Sequence, residues 1–262
     1  MKLQNTSIAA LLLLATCAEG TEPESTPTVE SAKRELGKVP ASEVAVWQKV
    51  GSSNSPDGRY LQAAAYDEAR KVVVMFGGIT TYPSSGASSL SQDTWEWSPA
   101  TGEWTKRTLD AAKPDPRSGA AMVYDSARAK FILFGGRAGS GFNLEDTWEW
   151  DPTTGAWTDV GATGHPSARS QHAMVYEKST GKVLLFGGGR STPSSSDGSG
   201  VSISLGDTWE YDPATNAWAS LTATSSPSVR NDSALVWDSG RNKAVLFGGI
   251  QTDIASATGV PK

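Results

Sequence analysis

The side chains with the greatest chemical reach in this chain are four arginines that recur in register. Arg59, Arg117, Arg169 and Arg230 each stand eighteen residues before the first glycine of a Gly-Gly pair, at positions 77, 135, 187 and 248. Guanidinium groups are planar, permanently charged forks, and several converging on one point would suit a carboxylate or an anionic sugar. Three aspartates recur as well: Asp93, Asp146 and Asp207 each open an Asp-Thr-Trp-Glu segment. The arginines therefore have two readings, as anion-binding groups or as structural partners of those aspartates and of backbone carbonyls. Presence in every unit favours the structural role, because repeat scaffolds reuse one contact in each copy. The Asp-Thr pairs read as turn-capping groups.

Other chemistry is sparse. Two histidines, His165 and His172, do not suggest a metal site, and the single cysteine, Cys17, rules out an internal disulfide and a Cys-rich zinc site. No Gly-x-Ser-x-Gly, His-Glu-x-x-His, phosphate-loop or dinucleotide-binding pattern occurs. The net charge of −5, with no run of Lys or Arg, argues against nucleic acid as a partner. No cofactor is implied.

The elements that must carry these residues come from the repeat itself. Each unit begins with its arginine, reaches an aromatic residue seven positions on (Tyr66, Tyr124, Tyr176, Trp237), and then runs through an apolar stretch into Gly-Gly. Val72–Phe76, Phe131–Phe134, Val183–Phe186 and Ala244–Phe247 are short, branched and aromatic, the pattern of a buried strand that stops sharply at the glycines. A segment of variable length follows, then Asp-Thr-Trp-Glu-aromatic, and eleven residues after each Asp another tryptophan: Trp104, Trp157 and Trp218. The turn between these last two strands carries Gly102, Gly155 or Asn216, residues that share tolerance of positive φ, so all three turns are predicted to be left-handed there. Trp47, twelve residues before Arg59, is the last tryptophan of a unit whose beginning is missing.

Four strands in a unit of 58, 52 or 61 residues, without helices, predict β-propeller blades. The residues resemble the kelch family in the apolar run with Gly-Gly, the aromatic at 97, 150 and 211, and the tryptophan at 104, 157 and 218. The resemblance covers about 47–249; WD40 units are shorter and sialidase Asp boxes carry a different glycine spacing. It implies an all-β fold of four-stranded antiparallel blades, with units starting near 59, 117, 169 and 230 inside a repeat region at 45–250. In such a fold the first strand lines a central channel, where Ala63, Ala121, Ala173 and Ala234 fall at one position, and the four arginines lie near its mouth. His172 replaces Gln62, Ala120 and Ser233 of the other units, which puts it there too, as a polar channel residue rather than a catalytic one. Three full blades with partial strands at each end predict an incomplete propeller: a truncated chain, an open arc, or a four-bladed ring with a three-stranded last blade. Open edges invite pairing with another copy.

Repeated residues read as scaffold, so differences between units carry the functional signal. The segments after Gly-Gly, 79–92, 137–145 and 189–206, vary most and open on one face. They hold Tyr82, Arg137, Phe142, Asn143, Arg190, Asp197 and Ile203, the candidate binding residues. The expected function is a non-catalytic module that binds a protein or a glycan. The alternative is an exported carbohydrate-active enzyme such as the sialic-acid mutarotases that some kelch proteins resemble, or a fragment of a larger kelch protein. The copper oxidases of the family need a crosslinked cysteine that is absent from the repeats.

Ahead of the repeats, residues 1–17 read as a targeting segment: Lys2, an apolar run over 8–15, and Leu14-Ala15-Thr16-Cys17, which resembles a bacterial lipobox with Cys17 as the lipidated residue. Plain secretion is the other reading. Residues 18–44, acidic and rich in Ser, Thr and Pro, predict a disordered tether, and 251–262 a tail. The protein is thus expected in the bacterial cell envelope or outside the cell, touching a membrane only through its lipid.

Overall fold

The computed structural model describes residues 51–82, 86–107, 112–191 and 202–251, all within the unit Val50–Lys262. The targeting and tether segments, Cys17, Trp47, Asp197 and the tail beyond 251 lie outside the described residues.

Within that unit the chain is all β. β1 (Arg59–Tyr60) leads into β2 (Ala63–Asp67) and β3 (Val72–Phe76); β4 (Ile79–Tyr82) and β5 (Ala87–Leu90) precede β6 (Thr94–Ser98) and β7 (Glu103–Lys106). The second unit holds β8 (Arg117–Ser118), β9 (Ala121–Asp125), β10 (Lys130–Ala138), β11 (Asn143–Asp151) and β12 (Ala156–Asp159). The third holds β13 (Ala173–Glu177), β14 (Lys182–Ser191), β15 (Ser202–Asp212) and β16 (Ala217–Leu221), and the fourth holds β17 (Asn231–Asp238) and β18 (Lys243–Ile250). Each of the first three units forms an antiparallel sheet in chain order, β2-β3-β6-β7, β9-β10-β11-β12 and β13-β14-β15-β16, while β17 and β18 pair alone. These are the expected blades, and the propeller is incomplete among the described residues.

The core lies between blades rather than inside one layer. Along β10, Phe131 and Leu133 join Phe76, Tyr124, Trp150 and Trp157 against the first blade. Ile132 and Phe134 point the other way, joining Tyr176, Val183, Tyr211 and Trp218 against the third. A strand buried on both faces needs an unbroken apolar run instead of alternation, which is why Phe131–Phe134 has no polar residue. The predicted left-handed turns are present, with φ of 71° at Gly102, 75° at Gly155 and 55° at Asn216.

The glycine pair departs from expectation. In the second and third units it does not end the strand; β10 and β14 run straight through it, and the pairing with β11 and β15 shifts register between Phe134 and Gly136 and between Phe186 and Gly188. Gly135 and Gly136 have φ of 62° and 105°, so the pair is a β-bulge that turns the strand and lets its hairpin continue. Most of 137–145, and the described residues 189–191 and 202–206, are therefore strand rather than loop. In the first unit the chain does break there: β4 and β5 form a separate small sheet with β1.

The bulge also makes the junction between blades. A Cβ on Gly77, Gly135 or Gly187 would stand 2.7, 2.7 or 2.5 Å from the carbonyl oxygen of Arg117, Arg169 or Arg230 in the next unit. At Gly248 it would meet nothing within 4 Å. Gly248→Ala should therefore cost only the left-handed backbone penalty, about 1–2 kcal/mol. Gly135→Ala should cost about 2 kcal/mol or more beyond that, because the next blade must move. Urea unfolding followed by tryptophan fluorescence measures both; equal losses would remove the junction role.

Candidate functional site

In the second and third units the repeated charges are consumed by the scaffold. Arg117 donates from Nη1 and Nη2 to the carboxylate of Asp146 at 2.6 and 2.8 Å, and Arg169 to Asp207 at 2.7 and 2.8 Å. The remaining donors reach backbone: Nη1 of each of the four arginines donates to the carbonyl of its own first glycine, Gly77, Gly135, Gly187 or Gly248, at 2.8–3.0 Å. The same aspartates accept from Trp148 and Trp209 Nε1, both at 2.6 Å. Burial alone would raise the Asp207 carboxyl, but the Arg169 and Trp209 hydrogen bonds outweigh it and hold it below the usual carboxylate range. Arg117 and Arg169 are fully buried, closed to any ligand. The first unit differs: Arg59 donates to Ser91 Oγ at 3.3 Å, and Asp93 ion-pairs with Lys106 at 2.9 Å. Arg230 adds Ser228 Oγ at 2.7 Å.

The repeated threonine has a role the sequence did not suggest. Thr94 and Thr147 accept hydrogen bonds from the indole N–H of the next blade, Trp157 at 2.9 Å and Trp218 at 3.0 Å. Their Oγ1 atoms thus pin one blade to the next across 63 and 71 residues of sequence, rather than capping a turn.

His172 is likewise not open to a channel. Its ring is buried between the second and third blades, edge-on to Phe134 at 5.4 Å, with Arg169 nearby. Burial, and then the Arg169 charge, push its pKa down to about 3, so the imidazole is neutral throughout the physiological range.

The candidate binding residues separate into exposed groups and struts. Asn143, at the start of β11, bridges blades: its Nδ2 donates to Ser170 Oγ at 2.9 Å, and its Oδ1 accepts from the Ser191 N–H at 2.8 Å. Arg190 in β14 is exposed and pairs across strands with the half-buried Ile203 of β15. Phe142, at the β10–β11 hairpin tip, and Tyr82, at the end of β4, are exposed. Arg137 is exposed on β10 and donates from Nε to the Gly141 carbonyl at 3.1 Å.

Arg137 borders a cleft of about 440 Å³ across the first three units. Its floor was not foreseen. Leu61, Gly119 and Gln171 line it, each two positions after its arginine, and all have left-handed φ, at 55°, 65° and 57°. With Asp232, at 55°, they form a chain of N–H···O=C bonds: Gly119 to Leu61 at 2.8 Å, Gln171 to Gly119 at 2.6 Å, Asp232 to Gln171 at 2.9 Å. A glycine at this position in only one unit was the available signal. Ile79 and Leu90 supply apolar walls; Ser88, Ser89, Ser118 and Ser170 supply hydroxyls. Two non-glycine residues on this floor, Leu61 and Gln171, are held in a sparsely populated conformation, the sort of local strain that rigid binding surfaces carry.

The matched repeats have known counterparts. The family described as the KLHDC2/KLHL20/DRC7 Kelch-repeats domain matches residues 42–249. Dynein regulatory complex subunit 7 of Chlamydomonas reinhardtii is 30% identical over 87 residues, 33% of this chain and 7% of that protein. Kelch domain-containing protein 10 of Rattus norvegicus is 26% identical over 156 residues, 57% of this chain and 34% of that protein. The chain thus spans about a third or less of the length of these curated relatives. Among solved structures, that of YjhT superposes with a TM-score of 0.55 at 18% identity, covering 73% of this chain and 59% of that one.

Neutral burial of His172 sets a pH dependence. Its folded pKa lies below the unfolded value near 6.5, so its stabilisation is complete above pH 6.5 and is lost as pH falls toward 3. Between pH 6.5 and 5 the wild type should lose about 2 kcal/mol more than His172→Gln, at about 1.4 kcal/mol per pH unit. Parallel stability–pH curves for the two proteins would refute this.

Proposed function

The chain belongs to the kelch-repeat family, and on that premise we propose that it is a non-catalytic binding module that presents the cleft beside Arg137 to a protein or glycan ligand. The observation that carries this reading is the division of labour between repeated and unrepeated residues. The bidentate Arg–Asp pairs are spent within a unit and the Trp–Thr bonds on joining blades, whereas the cleft is lined by residues that differ between units. Its lining offers hydroxyls, an amide, two apolar walls and the Arg137 guanidinium. These groups fix and orient a ligand. General acid–base turnover, as a mutarotase would need, calls for a group that exchanges protons near neutral pH, and a guanidinium does not. That supports binding over the enzyme alternative. Phe142 and Tyr82 extend the surface with exposed aromatic area, and Arg190 and Ile203 with the neighbouring hairpin.

The module is further proposed to be exported and tethered through residues 18–44, with Cys17 lipidated; the lipobox-like Leu14-Ala15-Thr16-Cys17 motivates this.

Peptide and glycan arrays probed with the full chain provide the test. Arg137→Glu should weaken every ligand found by about tenfold or more, the scale of a lost charge-assisted contact. Thr153→Lys, in the β11–β12 turn on the opposite face, should leave binding unchanged. Loss of binding through Thr153→Lys alone would move the site to the other face, and turnover of a sugar substrate would restore the enzyme reading. For the anchor, labelled palmitate should enter the wild-type protein in a bacterial host and not Cys17→Ala; equal labelling would sink that part.

A further inference from the structure

The second and third units are tied together at their hairpins by a side-chain amide. Asn143 Nδ2 donates to Ser170 Oγ at 2.9 Å, and Asn143 Oδ1 accepts from the Ser191 N–H at 2.8 Å. One amide thus answers a hydroxyl of the third unit and a backbone N–H four residues past that unit's first glycine. The first and second units meet in the same register: the Arg117 N–H donates to the Ser91 carbonyl as the Arg169 N–H does to that of Leu144, at 3.2 and 3.1 Å. The residue before Ser91 is Leu90, so an apolar side chain stands where Asn143 stands one unit later. By the same count Ser118 takes the place of Ser170, and Gly139 that of Ser191.

Without that amide the first junction stays open, and the gap is the cleft: Leu90, Ser118 and Gly139 all line it. The Ser118 hydroxyl and the Gly139 N–H, whose counterparts bond Asn143, have no hydrogen-bond partner among the described residues. One wall of the cleft is also the edge of a sheet, because β5 is the outer strand of β1-β4-β5. Ser91 donates to the Gly78 carbonyl at 2.9 Å, and Thr80 lies opposite Ser89, so residues 91, 89 and 87 turn their backbone groups toward β4. Ser88 and Leu90 turn theirs the other way, where no described strand pairs with them. Their N–H and C=O groups stand two residues apart, about 7 Å, the repeat at which an added strand bonds an edge.

We propose that the cleft takes an extended peptide, added as a strand along the free edge of β5, with one of its amides bonded to Ser118 Oγ and the Gly139 N–H. A peptide amide is the occupant because an amide is the group that this chain itself places on the same pair of partners one unit later. Main-chain bonds to Ser88 and Leu90 then supply affinity, and the side chains that alternate along the added strand supply specificity. Both walls belong to consecutive units within the described repeats. The inference rests on the cleft being the binding site, and within that reading it chooses peptide over glycan.

Arrays of end-capped peptides of about eight residues, a strand's length, probed with the full chain, supply the sequences for the test. Each peptide that binds is resynthesised with a single N-methyl group moved along its backbone. Affinity, read by fluorescence anisotropy, should fall about tenfold or more at alternate positions and hold between them. Only every second N–H of an added strand faces β5, and one lost hydrogen bond is worth about that factor. Leu90→Asn supplies the missing amide from within the chain and should weaken every such peptide by about tenfold or more. Ser88→Pro removes an outward N–H and no bond to β4, and should weaken them similarly. The N-methyl series uses the wild-type protein, so it reads even where a variant fails to fold. A series without alternation, or a folded Leu90→Asn protein that binds as the wild type does, would overturn the proposal. Binding of glycans alone, lost with Arg137→Glu, would overturn it and leave the cleft as the site; binding of neither class would remove both.

Discussion

The structure depends on one close approach. In three consecutive units, the carbonyl of a repeated arginine occupies the space that a side chain on the preceding unit's first glycine would need. That contact requires a residue without a Cβ and with positive φ, and glycine alone meets both conditions at no cost. It places the next arginine, whose guanidinium then folds back onto its own first glycine. Each unit thereby positions its successor, and the array propagates by nearest-neighbour contacts, as solenoid and propeller scaffolds do.

The burial pattern follows from that propagation. Because blades pack face to face, the middle strands are apolar on both sides and the aromatic residues serve neighbouring sheets. The third blade contributes Trp218 to the second, bonded to Thr147, and the second contributes Trp157 to the first, bonded to Thr94. The buried indole N–H of each of these tryptophans is matched by a threonine hydroxyl, which keeps its desolvation from cancelling the packing gain. Where the pair changes the matching suffers: Asp93 turns to Lys106, and the buried Trp95 Nε1 has no hydrogen-bond partner. The first blade is thus the least regular, and it is also the one whose chain breaks at the glycines and builds the β4–β5 wall of the cleft.

Of the candidate surface, the sequence showed which residues vary but not which of them are free. Arg137, Phe142, Tyr82 and Arg190 are exposed, whereas Asn143 is a strut between blades. The floor of the cleft is not legible in the sequence because Leu61 and Gln171, like Asp232 next in the same hydrogen-bond chain, share a backbone conformation and not a residue type. Only Gly119 advertises positive φ, and left-handed geometry at the others is imposed by the hydrogen-bond chain that links successive units. His172 was misplaced for a similar reason: its register identifies its strand position, but whether that position opens inward or packs against Phe134 depends on the adjacent blade.

Periodicity by itself determined the number of units, the order of strands within each, the apolar strands that fill the interior and the left-handed residue in each β-turn. These are properties of a few residues and their immediate neighbours, and they are written three or four times over. Tertiary structure alone decided whether the glycine pair ends a strand or bulges it, and where each arginine and threonine finds its partner. Those outcomes turn on cross-strand register and on contacts such as Trp157 to Thr94, made between residues 63 positions apart. A local pattern carries no information about them, because the partner's position is set by the packing of a separate blade.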